Sequence, residues 1–186
     1  MKLILVLCVT VLVVSAFAED DIPKNIPDSV GNPLHWTENQ FYSLAEAMPE
    51  AKYDYIPSAG NFEGARSFAE QVKHVACANY AFFNEIEGKI PPGHCEKGGT
   101  ATAKTKAELL KYLKDSFDYG DTVLQTINAK NALDRVEGPY AGPNTKLGMA
   151  VAAVWHIADH YGQLVEYLRM NGIVPPSTQK YGLKVR

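Results

Sequence analysis

His156 and His160 stand four residues apart in the stretch VWHIADHYGQLVEYL, and Gln163 follows close behind them. Residues four apart on a helix are neighbours, so two imidazoles at this spacing can meet one cation. At about 100° per residue, Met149, Ala152, Ala153, His156, His160, Gln163, Leu164 and Tyr167 fall within one arc. Both histidines therefore face the same way as small and apolar groups, and the two alanines leave room above them. Two imidazoles are not yet a reactive centre, because a catalytic zinc-type site takes three protein ligands and keeps an open position. The chain offers His35, His74 and His94 as the third. His94 lies in a Gly/Pro-rich loop and reads as solvated, and His35 sits at the start of a helix. His74, mid-helix beside Val75 and Ala76, is the best candidate. The competing reading is a pair of neutral histidines satisfied inside a packed core. An HExxH protease motif is absent, since Ile157 and Ala158 follow His156.

Other polar groups near the pair are less decisive. Gln163 has two readings of equal standing: a hydrogen bond to a ligand histidine or to bound water, or a polar pairing with a neighbouring helix. Asp159 is displaced by about 60° from His156 and about 100° from His160. It reads as solvent-facing, with orientation of a partner as the alternative. Tyr80, Tyr161 and Tyr167 read as packed aromatic core before pocket lining.

The elements that must position these groups are helices. A segment from about Pro33 to Met48 carries Leu34, Phe41, Leu44, Ala45 and Met48 at helical spacing, with Asn32 as cap and Pro33 in the first turn. A second runs from about Phe62 to Glu87, its stripe built by Ala65, Phe68, Val72, Val75, Ala76, Asn79, Phe82, Phe83 and Ile86. His74 falls at the margin of that stripe. Thr105 and Glu108 form a capping box that opens a third helix, continued by Leu109, Leu110, Leu113, Phe117, Val123, Leu124 and Ile127. The fourth spans about Thr145 to Met170 and is closed by Asn171-Gly172. No strand pattern competes, so the fold class is all-α, a four-helix bundle. The connection from Gly88 to Ala103 is long for a compact domain. It can reach about 50 Å when extended, enough to return along the bundle and start helix three parallel to helix two. The expected topology is up-down-down-up with one long crossover between helices two and three.

Composition fits one globular domain: 46% of the 186 residues are hydrophobic and 21% charged, which excludes a disordered or membrane-embedded chain. Residues 1–18 are set apart, because Lys2, the run LILVLCVTVLVV and the small residues Ser15, Ala16 and Ala18 read as a cleaved secretory signal. Residues 19–186 then form the mature domain, secreted or periplasmic, with no stable membrane anchor after cleavage. Export leaves Cys77 and Cys95 in an oxidising compartment, where a disulfide between them is feasible; Cys77 reads equally as a small buried apolar group. A net charge of −3 and a pI near 5.9, without a basic stripe, argue against a nucleic-acid partner.

The blocks AEAMPEAKYDYIPSAG, SFAEQVKHVACANYAFF and VWHIADHYGQLVEYLRMNGIVPPST, in this order, resemble the DinB/YfiT-like family of helical-bundle proteins, regarded as metalloenzymes. The resemblance covers about residues 33–178. It implies an up-down-down-up bundle and a divalent metal held by His74, His156 and His160. Zinc or nickel suits imidazole ligands. Three neutral imidazoles leave the ion its full charge, so a bound water loses a proton near neutral pH and a bound thiol becomes thiolate. The resemblance implies a hydrolase or a thiol-dependent transferase acting on a small molecule. The export signal and the lack of a carboxylate beside the histidines are departures from that picture. The alternative is a non-catalytic bundle that binds a metal or small ligand. Bundles of this type commonly pair as homodimers, although no interface residue stands out. Imidazoles coordinate only when neutral, so metal is expected to leave on acidification below about pH 6.5.

Overall fold

The computed structural model describes residues 22–140 and 142–180; the expected signal at residues 1–18 lies outside them. Helix α1 spans Ile26–Ala47, α2 Phe68–Ile86, α3 Lys106–Leu124 and α4 Lys146–Met170, followed by a short α5, Pro176–Lys180. A two-residue antiparallel pair, β1 Arg135–Val136 with β2 Asn144–Thr145, ties the turn before α4.

Local chemistry explains each start. Asn25 caps α1 by accepting from the Asp28 amide at 2.8 Å, and Pro27 occupies the first turn, where a missing N–H costs nothing. The helix therefore begins at Ile26, well before the expected Pro33, which sits inside it at the cost of one backbone hydrogen bond. Ser67 and Glu70 form a reciprocal capping box that starts α2 at Phe68 and leaves 62–67 irregular, shortening the expected segment. Thr105 and Glu108 do the same for α3, as their spacing indicated. Thr145 caps α4 through the Gly148 amide.

The four long helices close a ring in the order α1-α3-α2-α4 around a core whose largest fully buried side chains include Phe41, Phe68, Phe83 and Phe117. Cross-helix pairs fix the directions. Asn79 meets Ser116 and Asn84 meets Tyr119, so residue numbers rise together and α2 and α3 are parallel. Lys106 bonds carbonyls at Glu46 and Met48, whereas Lys114 meets Glu38 and His35 meets Asp121, so α1 and α3 are antiparallel. Gln71 pairs with Gln163 and His74 with His160, while Phe82 packs on His156, which makes α2 and α4 antiparallel. The bundle is thus up-down-down-up, and the 87–105 connection is the crossover.

That connection is fastened midway. Cys77 of α2 and Cys95 are joined by a disulfide, with Cα atoms 5.2 Å apart, so the disulfide reading holds over the free buried thiol. A single 3₁₀ turn, Cys95–Lys97, is thereby held against α2, and Gly98 and Gly99 leave it with φ of +83° and +72°. Gly99 packs so closely on the Cys77 sulfur that a Cβ would have no room. Among the described residues, no helix is long and apolar enough to cross a membrane.

Candidate metal centre

His74 lies in the second turn of α2, and Val72, Val75 and Ala76 around it are fully buried. Only 9% of its surface is exposed, so it belongs to the buried face and not to its margin. His160 is buried at 7% and His156 is half-buried, one turn earlier on α4. Antiparallel packing of α2 on α4 brings the three rings together. His74 Nε2 stands 3.1 Å from His156 Nε2 and 3.0 Å from His160 Nε2. The rings of His156 and His160 lie 4.5 Å apart, centre to centre. The three side chains thus form a cluster that can hold a metal ion.

The donor set fits a cation better than it fits itself. His74 Nδ1 lies 2.6 Å from the Cys95 carbonyl, which can only accept, so the ring proton is on Nδ1 and Nε2 presents a lone pair. That lone pair can accept one proton, from His156 or from His160, and not from both. The remaining Nδ1 atoms of His156 and His160 are buried without a hydrogen-bond partner. The three imidazoles cannot satisfy one another, whereas one cation would engage all three lone pairs. The spacing also agrees, because two nitrogens at about 2.0–2.1 Å from a tetrahedral zinc stand about 3.3 Å apart.

Burial keeps the rings neutral. It pushes His156 down to about 3, helped by the neighbouring His160 and His74, and His160 down to about 4, with Asp159 and Gln163 opposing. His74 is lowered by the same burial, which outweighs the bond to the Cys95 carbonyl. Neutral imidazole is the form that binds metal.

The layer has different neighbours on its two sides. Toward the start of α2, Gln71 Nε2 donates to Gln163 Oε1 at 3.0 Å, and Gln163 Nε2 donates to the exposed Asp159 at 2.9 Å. For Gln163 the structure shows the pairing with a neighbouring helix. It also stands near enough to His160 to favour its protonated form. Toward the end of α2, the Phe82 ring meets His156 edge-on at 5.2 Å, with Tyr140 behind it. Tyr80 stacks with Tyr112 and Tyr119, Tyr161 bonds Ser177, and Tyr167 bonds the Arg66 carbonyl, so these tyrosines serve packing. His35 pairs with Glu38 and Asp121, and His94 is exposed beside Glu96; neither joins the cluster.

Gln71, Arg66 and the Cys95 carbonyl escaped the sequence reading. Gln71 was accessible, since it precedes His74 by three residues and shares its face. Arg66 lies in irregular backbone and Cys95 opens an isolated 3₁₀ turn, where no periodicity indicates what they face.

A model of the DinB superfamily matches residues 34–164. The chain belongs to the DinB superfamily. Its fold is similar to a DinB-like protein from Bacillus cereus ATCC 10987, with a TM-score of 0.67 at 11% identity over 83% of this chain and 98% of that one. A DinB-like protein from Bacillus subtilis is 21% identical, with a TM-score of 0.61 over 77% of this chain and 92% of that one. A conserved protein from Enterococcus faecalis is 17% identical, with the same TM-score over 77% and 95%. No curated protein matches the chain.

Proposed function

We propose that this protein is a secreted metal-dependent enzyme, a hydrolase or a thiol transferase, that acts on a small molecule at a divalent centre held by His74, His156 and His160. The observation that carries the reading is the convergence of three Nε2 atoms, with His74 Nε2 3.1 Å and 3.0 Å from the other two, where the single His74 lone pair can accept a proton from only one of them. A bound divalent ion, zinc or nickel, supplies Lewis-acid activation of a water or thiol nucleophile. The chain's own contribution is to keep three imidazoles neutral by burial, to fix the His74 tautomer through the Cys95 carbonyl, and to hold Gln163 beside His160.

Export is supported by the residue 1–18 pattern and by the Cys77–Cys95 bridge, since disulfides persist in oxidising compartments. A small-molecule substrate accords with the net charge of −3, which offers no footprint for nucleic acid.

The test is elemental analysis of native protein beside His74→Ala, His156→Ala and His160→Ala, with folding followed by circular dichroism. One equivalent of metal, lost in each folded variant, is the expected result. It would be followed by ester hydrolysis and thiol-transfer assays that respond reversibly to a chelator. Wild type that takes up no zinc or nickel, even on reconstitution, would overturn the reading. Metal without any chelator-sensitive turnover would leave a binding protein in place of an enzyme.

A further inference from the structure

The 3₁₀ turn fastened by the disulfide serves two side chains at once. Its Cys95 carbonyl accepts from His74 Nδ1 at 2.6 Å, and the next carbonyl, Glu96, accepts from Arg66 Nε at 2.6 Å. Arg66 and His74 are therefore held by successive carbonyls of one turn. The backbone of Arg66 is fixed as well, because Tyr167 of α4 donates to its carbonyl at 2.8 Å. The guanidinium is half-buried, and its charge opposes protonation of His74, His156 and His160 alike.

Among the described residues, no carboxylate forms an ion pair with Arg66. Glu70 is committed to the Ser67 capping box, and Glu96 turns toward His94. Asp159 is exposed and accepts from Gln163. On α2, three residues before His74, Gln71 is 4% exposed and its Oε1 has no partner. Its amide orientation is set in relay: Asp159 can only accept, so Gln163 must donate to it, and Gln71 must then donate to Gln163. A guanidinium without an ion pair among the described residues is thus held by the same turn that orients His74.

We propose that Arg66 forms an anion subsite next to the histidine centre, and that the substrate is a small molecule bearing a carboxylate. A guanidinium held only through Nε keeps both terminal nitrogens for a bidentate carboxylate. Three neutral imidazoles around a divalent ion add no compensating negative charge, so an anionic ligand completes the electrostatics of the site. This inference rests on the metal-centre reading for the placement of the reacting group, but the anion contact itself needs no metal.

The experiment uses full mature protein, zinc-loaded and metal-free, titrated with propionate and with uncharged propionamide. Binding is followed at the Arg66 Nε–H and histidine ring resonances by ¹⁵N NMR, in wild type, Arg66→Gln and Arg66→Lys. Propionate is expected to bind about tenfold tighter than propionamide and to shift Arg66 Nε–H. Arg66→Gln should keep its zinc equivalent and lose about that tenfold advantage, with Arg66→Lys between the two. Equal binding of acid and amide, propionate binding unaltered in Arg66→Gln, or no propionate binding by zinc-loaded wild type would each overturn the proposal. If wild type takes up no zinc but propionate still shifts Arg66 Nε–H, the metal reading falls and the anion subsite stands.

Discussion

The Nδ1 proton of His74 is the smallest feature on which the site depends. Donation to the Cys95 carbonyl leaves Nε2 unprotonated and aimed at the two α4 histidines, whose own Nδ1 atoms have no such anchor. The acid stability of the centre follows from the same residues. An ordinary imidazole gains its proton near pH 6.5, but burial lowers all three, His156 to about 3 and His160 to about 4. Protons therefore compete poorly for these lone pairs, and metal should be retained at pH 5.5 and leave only as the pH approaches about 4–5. Release near pH 6.5, followed by equilibrium dialysis against buffered zinc, would show that the rings are not held neutral by burial. At this scale the sequence displayed His156 and His160 well, because one helix fixes their relation. His74 was legible as a type and place but not as a buried ligand, since its partners come from another helix and from an irregular turn.

Among the elements, the Cys95–Lys97 turn matters more than its length suggests. The Cys77–Cys95 bridge presses it on α2 and so presents two successive carbonyls to His74 and Arg66. Reduction of the bridge should lower metal affinity by about tenfold or more, the usual consequence of losing a ligand's outer hydrogen bond. Chelator competition on oxidised and reduced protein would measure it, at a temperature where circular dichroism shows both folded, since the bridge itself contributes about 2–4 kcal/mol. Unchanged affinity would mean that α2 alone orients His74. The α2–α3 contact supports a second prediction. Gly120 faces the Phe83 ring so closely that any Cβ collides with it. Gly120→Ala should therefore destabilise by about 1–3 kcal/mol despite its better helix propensity, a change readable by urea denaturation. Capping chemistry decided how well the elements could be read. Thr105 and Glu108 marked the start of α3 unambiguously, whereas the equivalent Ser67 and Glu70 were masked by Ala65 and Phe62 extending the apolar spacing. In α1 the tolerance of Pro33 inside the helix defeated the rule that proline opens one.

On the scale of the whole molecule, topology makes the centre and also strains it. The up-down-down-up order was legible because a connection as long as 88–103 has few other uses, and parallel α2 and α3 need it. That order places α2 antiparallel beside α4 and brings three basic side chains into a low-dielectric layer of the bundle. The consequence for stability has a definite sign. In the unfolded chain each histidine titrates near 6.5, whereas in the fold all three titrate lower. Between these values the unfolded state binds more protons, so metal-free protein should lose stability as pH falls below about 6.5, continuing toward the folded values of His160, about 4, and His156, about 3. Above pH 7 both states are neutral and this contribution should be flat. Metal should oppose the loss by binding only the folded arrangement: free zinc at about 100 times its dissociation constant adds about 2.7 kcal/mol. For a chain of this size that is a rise of roughly 5–10 °C in melting temperature. Thermal melts of metal-free and zinc-loaded protein at pH 7.5 and 5.5 would read both effects. His160→Ala should abolish the zinc increment and flatten part of the acid slope, because it removes one buried imidazole from the balance. An increment that survives in His160→Ala would place the stabilising metal elsewhere on the bundle.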